Sequence, residues 1–468
     1  MQIPSRTLFL GLGLTLCSSA SLVQAAGFGL IENSASGMGN AFAGSAATAE
    51  DASTVWFNPA GMAELDDNTH VSAAAHIILP KAKFNNVASR VNPALTGGSV
   101  SAAEAALTGS NSTSDKGAVV PNGYVVKSIN AKTKVGLGVN APFGLETNYD
   151  DDWYGRYHAL KSDMKTVNIN PSVSYKVNDK LSVGGGVSAQ YIDVELTSAV
   201  DSAAVCRGIA SAANSGTLLS SCLSALPKVA DPSTDSKATI KGNDWSYNYN
   251  VGALYKPTSK TKVGVSYRSK MDHSLEGTAK YDVNARLQPI LTATGVTRFN
   301  GADATAEANL PASLSVSVAH KLNDKVEVLG DITRTQWSSF EKLTVKNADT
   351  GAVITNVDEN WKDVNRYSVG VNYQKNDRLK LRGGVAFDEE PIPDAQHRTA
   401  RIPGNDRTWL SMGANYKLKK NMSMDVGYSH LFLDETPIDN TDESTGNTLR
   451  GNYDGSVNIL SAQLNWSF

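Results

Sequence analysis

The chain has 468 residues and a formal net charge of −3, a balance that leaves no whole-chain basic footprint for nucleic acid. Its seven His and three Cys are scattered, so neither a zinc site nor any other metal centre or cofactor is expected. After residue 25 there is no run of 18 apolar residues, which argues against a membrane-spanning helix. A transmembrane β-barrel, whose alternating strands escape hydropathy scans, stays open.

Residues 1–25 have the three parts of a secretory signal. Arg6 supplies the positive end, Leu8 to Leu16 the apolar run, and Val23-Gln24-Ala25 the residues before the expected cut, so that the exported chain begins at Ala26. Cys17 raises a lipoprotein anchor as an alternative, but Leu16 stands where a small residue is normally needed.

Residues 26–66 lack strand alternation. The stretch SASGMGNAFAGSAATAEDAS from Ser34 to Ser53 is dominated by small side chains that permit close backbone packing, while Phe42, Trp56 and Phe57 have the look of buried anchors. Asn58 can cap a helix through its side-chain oxygen, and Pro59 then takes the first helical position, where its missing N–H costs nothing. A floppy tail is the competing reading; the helix start and the aromatics favour a compact plug.

From near His70 to Phe468 the chain alternates. Val135, Leu137 and Val139 interleave with Gly136, Gly138 and Asn140, and a period of two puts these sets on opposite faces of a strand. A turn motif recurs as YKVNDK from Tyr175, HKLNDK from His320, YQKNDR from Tyr373 and YKLKKN from Tyr416, each joining two alternating segments as a hairpin does. Short turns alternate with long polar connections near 84–117, 143–163, 197–240, 281–311, 339–360, 391–406 and 435–454, the asymmetry of an outer-membrane barrel. Seven long connections, each flanked by two strands, give fourteen strands. Tyrosines such as Tyr175, Tyr255, Tyr373 and Tyr416 near strand ends suit an interfacial girdle. The last segment, VNILSAQLNWSF, puts Leu460, Leu464, Trp466 and Phe468 on one face.

In an exported chain Cys206 and Cys222 are free to form a disulfide, read here as a staple within a long loop. No Gly-x-Ser-x-Gly elbow is present and no Ser/His arrangement picks out a triad, so an enzyme is not expected. A barrel-embedded lipid hydrolase needs no local motif and remains an alternative, as does a general porin.

Taken in order, AGFGLIENSASGMGNAFAG, NPAGM, APFGLET, WYGRY, YRSKM and FDEEPIPD…RIPGNDRTWLSMGANY resemble the FadL-type family of outer-membrane transporters for long-chain fatty acids and other hydrophobic compounds, including aromatic hydrocarbons. The resemblance implies an all-β membrane protein, a 14-stranded antiparallel transmembrane β-barrel plugged by a small N-terminal hatch (residues 26–66, with the barrel over 67–468). It places the family's Asn-Pro-Ala motif on Asn58, Pro59 and Ala60, and Ala26, Gly27 and Phe28 close to an internal ligand site. It also implies a kink in the third strand that opens the wall; VNAPFGLET falls there, and Pro142, followed by Phe143 and Gly144, gives the kink a cause because proline cannot donate to the ladder, an ordinary strand end at Pro142 being the alternative. The implied route is capture near the third and fourth extracellular loops, passage beside the hatch and lateral exit near the third strand, without an energy source. A fatty acid's carboxylate would need a partner, and Arg268, on the strand face of Gly264 and Ser266, is one candidate; an arginine that balances lumenal acids is the competing reading. A monomer in contact with outer-membrane lipid and lipopolysaccharide is expected, with fatty acids favoured over aromatic hydrocarbons.

Overall fold

The computed structural model describes residues 27–468. The expected signal segment, with Cys17, and Ala26 lie outside the described residues. Among the described residues, fourteen antiparallel strands close into one barrel. In chain order they are β1 (His70–Asn86), β2 (Ala118–Ser128), β3 (Thr133–Asn140 and Gly144–Asn148), β4 (Lys161–Lys176), β5 (Leu181–Val200), β6 (Ser236–Thr258) and β7 (Thr261–Arg268 and Met271–Asp282). The second half comprises β8 (Ala302–Leu310 and Ser313–Lys321), β9 (Val326–Thr335 and Lys342–Asn347), β10 (Val353–Asp358 and Val364–Gln374), β11 (Leu379–Asp388), β12 (Arg407–Lys419), β13 (Met422–Leu433 and Thr436–Thr441) and β14 (Thr448–Ser467). Each strand pairs with its sequence neighbours, and β14 returns to β1 from His70↔Ser467 to Asn86↔Gly451. Closure leaves no sheet edge to pair with another chain.

Alternation fixes which face meets which medium. From Ser72 to Phe84 of β1 the burial pattern switches at every residue, with Ile77 and Leu79 exposed and His76 and Ile78 fully buried. The apolar outward face runs around the barrel through Val135, Val173, Val251, Val316, Val369, Leu410 and Leu464. No helix among the described residues is long and apolar enough to cross a membrane. Several strands run beyond the apolar alternation: β4 starts at Lys161 and β5 ends at Val200, where outward positions carry Asp163, Lys165 and Glu195.

Residues 27–66 lie inside the barrel. They form short helical turns, Ala35–Met38, Ser45–Thr48 and Thr54–Phe57, followed by a 3-10 helix, Pro59–Glu64. Glycines of the wall give them room. A Cβ on Gly264 of β7 would stand 1.9 Å from the Ala46 carbonyl, one on Gly252 of β6 2.1 Å from Asn58 Oδ1, and one on Gly384 of β11 2.2 Å from the Asn40 carbonyl.

Charge ties the segment at the short-turn end. Glu50 bonds Arg382 at 2.8 Å and Lys380 at 2.9 Å, and Arg382 also reaches Asp425 at 3.0 Å. Glu64 bonds Lys256 at 2.7 Å, and Lys134 donates to the carbonyls of Leu65 and Asp66. Burial opposes the Glu50 charge, but Arg382 and Lys380 outweigh it and hold the carboxyl well below the usual range.

Outside the wall, Cys206 and Cys222 are joined, their Cα atoms 5.7 Å apart. The bond links helices Ser202–Ala212 and Gly216–Ala225 in the long connection between β5 and β6, where the sequence placed a staple.

Candidate functional site

The Asn-Pro-Ala turn works as a clamp. Asn58 Oδ1 accepts from Ala60 N at 3.1 Å and so caps the Pro59–Glu64 helix, while Nδ2 donates to the carbonyls of Ala46 at 2.7 Å and Ala253 at 3.1 Å. The helix is 3-10, tighter than the α-turn that a cap and Pro59 by themselves suggest. One fully buried side chain thus joins the helix start, the Ser45–Thr48 turn and β6 of the wall.

β3 breaks where Pro142 stands. Asn140 pairs with Asn168 and Gly144 with Lys165, so β3 uses one residue more than β4 over the same stretch. Thr166 Oγ1 fills in, donating to the Phe143 carbonyl at 2.6 Å and accepting from Phe143 N at 3.1 Å. On the other side the ladder to β2 ends at Gly123↔Val139. The N-terminal segment enters there: Leu30 N donates to the Pro142 carbonyl at 2.8 Å, and Gly144 N to the Phe28 carbonyl at 3.0 Å. Asn122 Nδ2 reaches the Glu32 carbonyl at 2.8 Å, and Asn140 Nδ2 reaches Asn33 Oδ1 at 2.6 Å. A short antiparallel patch of residues 28–30 thus lies against the break in the wall.

Phe28 is the centre of an aromatic cluster. Its ring centroid lies 4.8 Å from Trp337, 5.2 Å from Phe340, 5.6 Å from Trp361 and 6.1 Å from Phe143. Each such pair contributes about 0.5–1.5 kcal/mol beyond its area burial. The partners come from interruptions in the wall: Trp337 and Phe340 from the break in β9, Trp361 from that in β10, Phe143 from that in β3. Gly27, at φ +64°, fits beneath two of the indoles, since a Cβ there would stand 2.6 Å from both Trp337 and Trp361.

The cluster separates two cavities. Towards the long loops lies one of about 80 Å³, walled by Leu145, Met164, Leu275, Leu310 and Phe340, with Glu359 and Arg401 at its edge. Burial pushes the Glu359 carboxyl up to about 8 even though Trp361 Nε1 donates to it at 3.0 Å. Burial lowers Arg401 to about 10, which leaves it charged at neutral pH. Towards the short turns lies one of about 190 Å³, reached by Leu30, Phe143, Trp56, Arg268, Arg366 and Arg407. Asp388 binds Arg407 at 2.7 Å. Arg268 is held differently: its guanidinium lies 3.5 Å over the Trp56 ring and donates to Ser188 Oγ and the Trp56 carbonyl, each at 3.2 Å, so these partners are neutral.

Of the residues expected at a site, Gly27, Phe28, Pro142, Phe143 and Gly144 come together at the break, and Arg268 faces the larger cavity. Asn58, Pro59 and Ala60 belong to the clamp. The cystines stand apart, in the loop cluster. Sequence reading missed Trp337, Phe340, Trp361, Glu359 and Arg401. Isolated tryptophans in polar stretches such as TQWSSF and ENWKD were the available signal.

A closed barrel packed with its own N-terminal segment, with an apolar cavity on one side of an aromatic cluster and an arginine-lined one on the other, has the architecture of an outer-membrane transporter of hydrophobic compounds. The chain matches the model of the outer membrane protein transport protein (OMPP1/FadL/TodX) family over residues 16–468 and belongs to that family. It is 31% identical to the long-chain fatty acid transport protein of Escherichia coli (strain K12) over 434 residues, which cover 91% of this chain and 92% of that protein. It is 31% identical to outer membrane protein P1 of Haemophilus influenzae over 483 residues, covering 98% of each. Among solved structures, a Pseudomonas aeruginosa FadL homologue has a TM-score of 0.82 at 26% identity, covering 94% of this chain and 100% of that one. The Ralstonia pickettii toluene transporter TbuX, with a TM-score of 0.62 at 19% identity over 94% of this chain and 98% of that one, is alike in fold.

Proposed function

We propose that the chain carries long-chain fatty acids across the outer membrane by passive, ligand-gated diffusion, with residues 26–66 as the hatch and 67–468 as the barrel. The observation that carries this reading is the Phe28 cluster between an apolar cavity edged by Arg401 and a larger cavity beside the β3 break. An acyl chain in the upper cavity leaves its carboxylate within the field of Arg401, and an unpaired charge in apolar surroundings would be costly. Displacing Phe28 joins the cavities; releasing residues 28–30 from Pro142 and Gly144 frees the lateral exit. Arg268, with neutral partners, is the carboxylate's second station. The chain acts as a monomer, its long loops within the lipopolysaccharide layer.

A second reading, uptake of aromatic hydrocarbons, is favoured by the aromatic walls, which suit a flat ring. Relatives whose names specify long-chain fatty acids stand at 31% identity over about nine tenths of the chain, and this supports the first. Uptake of a labelled long-chain fatty acid against a labelled aromatic hydrocarbon, in a transporter-deficient host, separates the two. Uptake of the hydrocarbon alone overturns the fatty-acid reading.

A further inference from the structure

The short-turn rim of the barrel carries a charge pattern that transport of an apolar molecule does not require. Residues 129–132, 176–180, 256–260, 321–325, 375–378 and 417–421 hold twelve Lys and Arg against three Asp, in a chain whose net charge is −3. Some of these cations have carboxylate partners, as Lys256 has Glu64 and Lys176 has Asp179. Lys132, Lys180, Lys325, Arg378, Lys417 and Lys420 are exposed.

A repeated local geometry sets these cations in place. Asn130 Oδ1 accepts from Lys132 N and Thr133 N, Asn178 Oδ1 from Lys180 N and Leu181 N, and Asn323 Oδ1 from Lys325 N and Val326 N. Each of these turns reads apolar-Asn-x-Lys, and the asparagine fixes the loop so that the apolar residue precedes the bend and the lysine follows it. The apolar members are bare: Ile129 is 58% exposed, Val177 42% and Leu322 53%, and Leu418 in the β12–β13 turn is 44% exposed. A turn immersed in water gains nothing from such side chains. Just above them along the strands stand Tyr175, Tyr255, Tyr373 and Tyr416, all exposed on the outer wall. Aromatic rings at the bilayer boundary, apolar tips at the turn and lysines beside them match the depth profile of a lipid headgroup layer.

We propose that this rim is a docking surface for anionic phospholipid headgroups, phosphatidylglycerol in chemistry, in the leaflet at the short-turn end. The bare apolar tips favour a lipid over a soluble polyanion, which would engage the lysines and leave those tips in water. Each lysine near such a surface favours the anionic lipid by about fivefold, an effect that salt screens. The proposal does not depend on which compound the barrel carries.

The test uses the full chain in phosphatidylcholine vesicles doped with either brominated phosphatidylglycerol or brominated phosphatidylcholine. Trp466, exposed near the rim on β14, is the reporter, read as the difference in quenching between the chain and Trp466→Phe. Expected is several-fold stronger quenching by the brominated anionic lipid, lost in high salt and reduced in Lys417→Gln/Lys419→Gln/Lys420→Gln. Retained heat-modifiable migration on a gel verifies that this variant folds; should it not fold, Lys417→Gln/Lys420→Gln, in the same turn beside the reporter, takes its place. Equal quenching by the two lipids overturns the proposal, and so does selectivity that the variants leave unchanged. Binding of inorganic polyphosphate without lipid selectivity overturns it in favour of a soluble polyanion.

Discussion

The Phe28 ring meets Trp337 edge to face, with centroids 4.8 Å apart and planes at 72°. The carbonyl of the same Phe28 accepts from Gly144 N at the β3 break, so the side chain that parts the two cavities and the backbone that lines the wall opening belong to one residue. A shift of the ring is therefore expected to disturb the pairing at the break. Phe28→Ala removes about 3–5 kcal/mol of local packing. It is expected to raise ion conductance in a planar bilayer while the barrel keeps its heat-modifiable gel shift. Conductance equal to that of the unmodified chain would show that the cluster is not the barrier.

Asn58→Ala deletes the cap and two cross-links to Ala46 and Ala253, each hydrogen bond worth about 0.5–1.5 kcal/mol net. The closed sheet does not depend on them, so the barrel should fold. Uptake of hydrophobic ligand should change, and the 27–66 segment should become more sensitive to protease. Pro59→Ala should have a weaker effect of the same kind. Unaltered uptake in both variants would reduce the Asn-Pro-Ala turn to a helix start.

Arg268 stacks on Trp56 and donates to Ser188 Oγ and the Trp56 carbonyl, both neutral. Arg268→Ala is expected to weaken fatty-acid binding by about tenfold or more, the scale of losing a charge-assisted hydrogen bond. Binding of an uncharged aromatic hydrocarbon should change far less. Equal losses for the two ligands would make Arg268 a packing residue for Trp56.

Burial pushes the Glu359 carboxyl from its ordinary 4.5 up to about 8. The folded state holds this proton more tightly than the unfolded chain does, so its contribution makes stability fall as pH rises from 4.5 to about 8, with no further loss above. Below about 8 Glu359 is neutral and Arg401 is charged, which favours an anionic ligand in the upper cavity. Fatty-acid affinity, followed by intrinsic fluorescence, is expected to decline as pH rises through about 8, and the decline should vanish in Glu359→Gln. A flat profile in the unmodified chain would exclude this coupling.

The barrel was legible because lipid imposes a period of two on every strand it touches. Val135, Leu137 and Val139 could be assigned a face without any knowledge of their neighbours in space. Strand ends were less legible. β5 runs to Val200 and β6 from Ser236, well past the apolar alternation near Tyr191 and Tyr247, because above the membrane the outer face meets water and carries Asp193, Glu195 and Lys241 instead. The expected long connection 339–360 contains a hairpin, Lys342–Asn347 with Val353–Asp358, that continues β9 and β10 for the same reason.

The sequence by itself determined the number of strands, the alternation of short turns with long connections and the place of the cystine, and Pro142 gave a cause for the kink that the family resemblance implied. Each is a local property: a period, a loop length, a spacing, a missing N–H. Tertiary structure alone decided what fills the lumen and where its cavities lie. Phe28 finds Trp337 and Trp361, more than 300 residues away along the chain, only because interruptions in β9 and β10 turn those rings inward. Gly264 is a seat for Ala46 only because the wall has closed around it. Contacts of this kind have no period along the chain, since they are set by curvature and closure rather than by the alternation of neighbours.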